Sequence, residues 1–282
     1  MEAVSGSAMI GDRMSGTGDT YTHGHHEAVL RSHRWRTAEN SAAYLLPLLR
    51  PGMRLLDVGC GPGTLTADLA ARVAPGEVLA VDVSAEVIAE AEAHAREVGA
   101  TNIVFQAGDF RSAGLAPGSF DVVHAHQVLQ HLRDPVSALI EMRRLVRPEG
   151  VVAARDGDFP AMVWSPPDPL LDRWLEIYLA VTRRNGAAAD AGRRLLHWAR
   201  QAGFREIAFS TSNWTFVTPG DRSWWTETWA ERTTSSTFGH QAVEYGIATA
   251  AQLEQIAAGW RAWGALPDAV FIVVGGEILA RG

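Results

Sequence analysis

With 282 residues, 47% of them hydrophobic and 20% charged, the chain is long enough to bury one full core, and no apolar run reaches the ~18 residues of a membrane span. A formal net charge of -7 disfavours nucleic acid as the main partner, because phosphate binding calls for a basic surface. The single cysteine, Cys60, excludes an internal disulfide and fits a reducing cytoplasm, the expected location.

In chain order, residues 1–20 are rich in Gly, Ser and Asp without a basic start or a continuous apolar stretch, and read as a flexible tail rather than a signal peptide. Residues 21–50 open on the polar cluster YTHGHHEAVLRSHRWRTAEN; its His23, His25 and His26 have no companion cysteine and lie too close together for a metal site, so no metal is expected. Leu55–Val58 reads as a strand that hands over at a glycine turn to a helix with Leu65, Leu69 and Val73 on its apolar side. Residues Glu77–Val83 form the second strand, and Ser84 caps a helix carrying Val87, Ile88, Ala91, Ala95 and Val98. Asn102–Ala107 is the third strand and Phe120–Ala125 the fourth. Asp134 as N-cap and Pro135 at the first helical position then open a helix with Leu139, Met142 and Val146. The fifth strand is Gly150–Arg155. This alternation of strands and helices predicts an α/β fold, a parallel sheet with helices on both faces and a ligand crevice at the carboxyl ends of the strands.

Two helical insertions interrupt the order. Residues 158–190 hold a Pro-rich entry and a helix; Ala191–Ala202 and a strand at Phe204–Asn213 resume the fold. Residues 215–266 hold DRSWWTETWAER and a segment opened by Thr249 with Gln252 three residues on, a capping-box pattern, before a final strand at Ala269–Val274. Nine of the ten tryptophans lie beyond residue 160. A helical tryptophan such as Trp174 or Trp260 commonly fills core, whereas collectively these rings can wall a substrate pocket, with Trp164 and Trp225 as candidate substrate contacts.

Gly59, Gly61 and Gly63 sit where strand one becomes helix one, so the backbone there passes close to a ligand, and a nucleotide-like cofactor is implied. The dinucleotide fingerprint G-x-G-x-x-G fits imperfectly, because position 64 is Thr. The stretch DVGCGPG resembles motif I of the class I S-adenosylmethionine-dependent methyltransferases, through Asp57, Val58, Gly59, Gly61 and Gly63. VLAVDVS resembles that family's second-strand end, where Asp82, followed by Val83, would hold the ribose hydroxyls; a carboxylate can accept from both. VFQAGDF places Asp109 and Phe110 in the manner of its adenine site, and FDVVHAHQVLQHLRDP resembles its fourth-strand motif, with His126 and Gln127 lining the methionine end. The arrangement is most similar to the UbiE-like branch acting on small molecules.

The resemblance implies a Rossmann-like, mostly parallel seven-stranded sheet forming a single domain over residues 21–282, with an N-terminal lid at 21–50 and the two insertions as caps. It implies S-adenosyl-L-methionine as cofactor and a small, largely apolar acceptor, secondary-metabolite or quinone-like. In such a lid Tyr21 would approach the methionine end and His26 the substrate. Arg34 and Arg36 could meet the methionine carboxylate, although basic residues on a helix are usually exposed. Methyl transfer is an in-line displacement in which the protein aligns the reactants. A phenol, enol or amine acceptor also needs a base, for which His126 is the candidate; His131 reads as structural. Asp156 and Asp158 follow strand five, but a catechol-type metal site would want a further acid after strand four, where the chain has HAHQ. Asp158 stays a candidate substrate contact. Two other readings remain open: a cofactor-binding protein that transfers no methyl group, and an NAD-dependent oxidoreductase. The acceptor, the methylated atom and the oligomeric state are open as well.

Overall fold

The structure, a computed structural model, describes residues 27–282, with side chains from Leu30 onward. The tail at 1–20 and the histidines at 23, 25 and 26 lie outside the described residues. Two short helices, α1 (Glu27–Arg34) and α2 (Ala38–Ser41), precede β1 (Leu55–Val58), α3 (Thr64–Val73), β2 (Val78–Asp82), α4 (Ala85–Glu97), β3 (Ile103–Ala107), β4 (Phe120–His126), α5 (Pro135–Leu145) and β5 (Val146–Gly157). The helices begin where capping chemistry dictates. Ser84 accepts from the Val87 amide at 3.3 Å, and Asp134 accepts from the Ser137 amide at 2.9 Å with Pro135 just inside the helix.

The remaining elements are β6 (Val163–Ser165), α6 (Pro169–Asn185), α7 (Ala191–Gln201), β7 (Glu206–Phe216), α8 (Pro219–Ser235), α9 (Thr237–Glu244), α10 (Ala250–Gly264) and β8 (Val270–Arg281). Thr249 and Gln252 form the capping box of α10. Strands β3, β2, β1, β4 and β5 run parallel in that order, β8 lies antiparallel to β5, and β7 lies antiparallel to β8. No helix among the described residues is long and apolar enough to cross a membrane.

Two features depart from the seven-stranded expectation. Among the described residues the sheet has eight strands, because Val163–Ser165 runs antiparallel to the first three residues of β8. The last strand also continues past Val274 to Arg281. Its Gly275 and Gly276 resemble a stop signal but mark close approach instead: a Cβ at Gly276 would lie 2.1 Å from the Gly192 carbonyl of α7, and one at Gly275 would lie 2.7 Å from the Arg155 guanidinium.

Because side chains alternate along a strand, the sheet has two differently built faces. Leu56, Val58, Val123, Ala125, Val152 and Ala154 pack against Leu139 and Met142 of α5 and Leu195 and Trp198 of α7. On the other face, Leu55, Val122 and Ala153 meet α2 and α3 through Ala38, Leu65 and Leu69. Beyond these lies an aromatic core formed by α6, α8, α9 and α10, in which Trp174, Trp229 and Trp260 are fully buried. Trp174 and Trp260 thus fill core. Trp174 meets Trp229 edge-on at 4.5 Å and Trp260 at 4.9 Å.

Candidate active site

A cavity of about 410 Å³ opens at the carboxyl ends of β1, β2 and β4, within the size range of small-molecule sites. Gly59, Gly61 and Gly63 all have φ between 57° and 83°, the left-handed region that other residues avoid. A Cβ on Gly59 would stand 2.5 Å from Val128 Cγ2, so the turn can pack there only as bare backbone. One on Gly61 would meet nothing nearer than His33 Nδ1 at 3.9 Å. Gly61 thus lines the cavity with its Cα side open, while its amide donates to Asp82.

The acidic residues of the site divide into two kinds. Asp82, half-buried at the end of β2, lines the cavity and accepts from the amides of Gly61 and Ser84, each at 3.1 Å. Val83 follows it in the wall, and Asp109 and Phe110 line the same end. Asp109 also accepts from the Arg111 amide at 2.9 Å and from its guanidinium at 2.9 to 3.1 Å. Asp57 also borders the cavity, but its carboxylate is turned into the sheet. His124 Nδ1 lies 2.7 Å from one oxygen, and Thr66 Oγ1 donates to the other at 2.6 Å. The structure thus gives the Asp57 carboxylate partners of its own, since β1 and β4 register Asp57 directly against His124.

At the other end of the cavity the charges are basic. Gln127 follows β4 with φ 54°, unusual for a residue with a side chain. Its amide donates to the Arg155 carbonyl at 2.7 Å and its side-chain oxygen accepts from Arg36 at 2.7 Å. His126, 6% exposed, lines the cavity, and neither ring nitrogen has a hydrogen-bond partner among the described residues. Burial, reinforced by Arg36 and Arg155, pushes its pKa well below 6.5. A lowered pKa makes the ring a weaker proton acceptor than a free imidazole.

Beneath His126 a charged row crosses the sheet, following the strand registers from His126 to Arg155 to Glu277 to Ser210. The fully buried Arg155 donates from Nε to Ser212 Oγ at 2.9 Å, lies 3.4 Å from Glu277 and stands 4.5 Å from the Trp214 ring centre. Ser210 donates to Glu277 at 2.9 Å and Ser212 donates to its other oxygen. Burial pushes the Arg155 pKa down and the Tyr44 hydroxyl nearby up.

A smaller recess of about 30 Å³ adjoins the basic end, walled by Trp35, Phe159, Trp214, Trp224, Trp225 and Trp229 with Arg232. His33, Arg36, Gln127 and His131 line both spaces. Trp225, 4% exposed, is held in this wall by stacking on Phe216 at 4.3 Å. The other proposed substrate contacts lie elsewhere. Asp158 is buried and takes both polar edges of Arg193, at 2.6 and 2.7 Å, so its carboxylate braces α7. Trp164 stacks on Phe271 at 5.7 Å and lines neither space. Tyr21 and His26 lie outside the described residues.

Asp156, fully buried, accepts from the Gln130 amide at 3.1 Å; burial raises its pKa to about 7. His131 lies 3.1 Å from the Gln130 side chain, and burial with Arg36 and Arg232 lowers its pKa to about 3. Among the described residues no group of three or more His, Cys, Asp or Glu side chains could hold a metal.

Sequence reading left out Trp214, Trp224 and Arg232, and gave Arg36 no firm role. A signal existed for part of this: Trp225, Trp229 and Arg232 follow at helical spacing in DRSWWTETWAER and share one face of α8.

Residues 49–186 match the methyltransferase-domain family. An uncharacterised methyltransferase of Schizosaccharomyces pombe is 30% identical over 270 residues, covering 93% of this chain and 96% of that protein. A ubiquinone biosynthesis O-methyltransferase of Methylococcus capsulatus is 40% identical over 101 residues, covering 36% of this chain and 42% of that protein. Among solved structures, the YcgJ protein of Bacillus subtilis superposes with a TM-score of 0.56 at 18% identity, over 86% of this chain and 98% of its own.

Proposed function

Because this chain belongs to the class I S-adenosylmethionine-dependent methyltransferases, we propose that it methylates a small acceptor whose flat, largely apolar body occupies the tryptophan-walled recess. The observation that carries this reading is the shared border: His33, Arg36, Gln127 and His131 belong to both the large cavity and the recess, so a donor in one would meet an acceptor in the other across these residues. As it stands the recess has room for only a few water molecules, so the half-buried Trp35 or Trp224 must move outward when an acceptor enters.

The residues of the large cavity fit S-adenosylmethionine. The open Cα side of Gly61 admits close approach of the cofactor, and Asp82 presents a carboxylate to ribose hydroxyls. Val83, Asp109 and Phe110 would flank the adenine, while Gln127 and Arg36 lie where the methionine carboxylate needs donors. When bound, the cofactor supplies a methyl group already activated by its sulfonium. The chain's own residues then bind, orient and exclude water.

Titration calorimetry with S-adenosylmethionine and S-adenosylhomocysteine tests the donor side. Asp82→Ala should weaken both ligands by about 10- to 100-fold, the loss of charge-assisted hydrogen bonds worth about 1.5–3 kcal/mol. Folded wild-type protein that binds neither ligand would overturn the assignment of this cavity. A labelled-methyl screen of small aromatic acceptors would follow.

A further inference from the structure

We propose that Gln130 is a positioning residue that holds His131 as the neutral tautomer with its hydrogen on Nδ1, so that His131 serves methyl transfer as a hydrogen-bond donor and not as a base. The tautomer follows from the contacts of Gln130. Its place in the transfer rests on the reading of the two spaces as donor and acceptor sites.

Gln130 and His131 are neighbours on a single helical turn, Leu129–His131, and both are buried. Every polar group of Gln130 is engaged. Its backbone amide donates to Asp156 Oδ1 at 3.1 Å, and its carbonyl accepts from the Ala188 amide at 2.8 Å. In the side chain, Oε1 accepts from the Gly157 amide at 3.3 Å, and Nε2 lies 3.1 Å from His131 Nε2. The Gly157 N–H can only donate, so it selects the oxygen of the Gln130 side chain and turns the NH2 toward the ring. An NH2 can likewise only donate, so His131 Nε2 accepts. A neutral imidazole that accepts at one nitrogen carries its hydrogen on the other, and this holds whatever else the ring touches.

The pairing restricts what His131 can do. A proton on Nε2 would set two donors against each other, and relieving that by turning the Gln130 side chain would set its NH2 against the Gly157 N–H instead. Nδ1 already holds a hydrogen. Neither nitrogen is therefore open to a proton from the acceptor, and burial beside Arg36 and Arg232, which lowers the His131 pKa to about 3, acts in the same direction. What the ring offers is one N–H of fixed direction, on a residue that lines both the large cavity and the recess. A donor fixed in this way helps to align the reactants. Nothing in the pairing bears on His33, which shares the border.

The tautomer is read from long-range proton–nitrogen correlation spectra of the full chain labelled with heavy nitrogen in its histidines, with the His131 signals assigned as those missing from His131→Asn. We expect a hydrogen-bearing Nδ1 and a bare Nε2, unchanged across about pH 6 to 8, where a free imidazole titrates. Addition of S-adenosylhomocysteine should shift these signals and leave the tautomer as it is. Gln130→Glu keeps the shape and puts an accepting oxygen where the NH2 stood, so the pattern should invert, with hydrogen on Nε2 or on both nitrogens. Retained S-adenosylhomocysteine binding by calorimetry shows that the variant is folded; if it is not, Gln130→Met removes the NH2 without adding charge and should leave the two tautomers mixed. Hydrogen on wild-type Nε2, titration within that pH range, or a pure Nδ1–H pattern that survives in the folded variant would overturn the proposal. His131 signals that ignore bound S-adenosylhomocysteine would take the ring off the border and overturn its role in the transfer. Wild-type protein that binds no S-adenosylhomocysteine would instead overturn the assignment of the cavity, while the tautomer, read on the free protein, would be decided separately.

Discussion

The two neighbouring spaces are built from opposite materials. The large cavity is made of turns at strand ends: a glycine turn of which Gly59 and Gly61 line the space, and carboxylates that begin or follow short loops between residues 57 and 110. The recess is made of bulky side chains from residues 32–36, 159–162, 214–232 and 273, brought together only by packing. One collects backbone donors and acids, the other rings and bases. The difference teaches that a donor site shared by a family can be written locally, whereas an acceptor site specific to one protein is distributed over the fold.

Four changes would break or sharpen that contrast. The largest effect belongs to the charged row beneath both spaces. Arg155→Met leaves Glu277 buried without its cation and should lower stability by about 3–5 kcal/mol in urea unfolding. Adding Glu277→Leu should restore most of it, and a double variant as unstable as the single one would deny the pair its role. Next, Gly59→Ala places a methyl group against Val128 in a left-handed turn. We expect about a hundredfold loss of S-adenosylhomocysteine affinity by calorimetry, near 3 kcal/mol, with tryptophan fluorescence little changed.

Trp224→Ala addresses the recess alone. It should raise KM for an acceptor by about 5- to 10-fold, the scale of one aromatic contact, and leave S-adenosylhomocysteine affinity within about twofold. Loss of donor binding in this variant would dissolve the division between the two spaces.

The smallest effect is a pH slope. Asp156 has its pKa raised from 3.8 to about 7, so the folded form keeps a proton that the unfolded chain releases, and its contribution to stability falls as pH rises from about 4 to 7. His131 has its pKa lowered from 6.5 to about 3, so its contribution rises from about pH 3 to 6.5. The two slopes oppose each other across one glutamine, Gln130. Asp156→Asn should expose the rise that His131 contributes, seen as a midpoint in urea that climbs between pH 4 and 6.5 more steeply than in wild type. Equal slopes in the two proteins would contradict it.

Legibility followed the same division. The strand–helix alternation through β5, the glycine turn and the caps at Ser84, Asp134 and Thr249 are local patterns, and the structure has those elements where the patterns point. What escaped depends on partners far along the chain. Asp158 resembles a pocket carboxylate until α7 brings Arg193 against it. Asp57 reads as part of the glycine motif, yet its carboxylate answers to the strand register that sets His124 beside it. The glycine pair at 275–276 looks like a stop because nothing nearby in sequence reveals that Gly192 and Arg155 need that space.

The long strand β8 also sets how the protein must reach this state. Among the described residues it is the only strand partner of β6 and β7 and the only antiparallel neighbour of β5, and its pairs with β5 join residues more than a hundred positions apart. Closing so wide a loop is entropically costly and slow, so the parallel half of the sheet can gather from nearer contacts before the aromatic half has a frame to pack on. When β8 docks, Ile278 and Ala280 complete the core under α5 and α7 while Phe271 and Val273 join the aromatic core. Two regions that divide the chemistry between them therefore acquire their final shape in one late event.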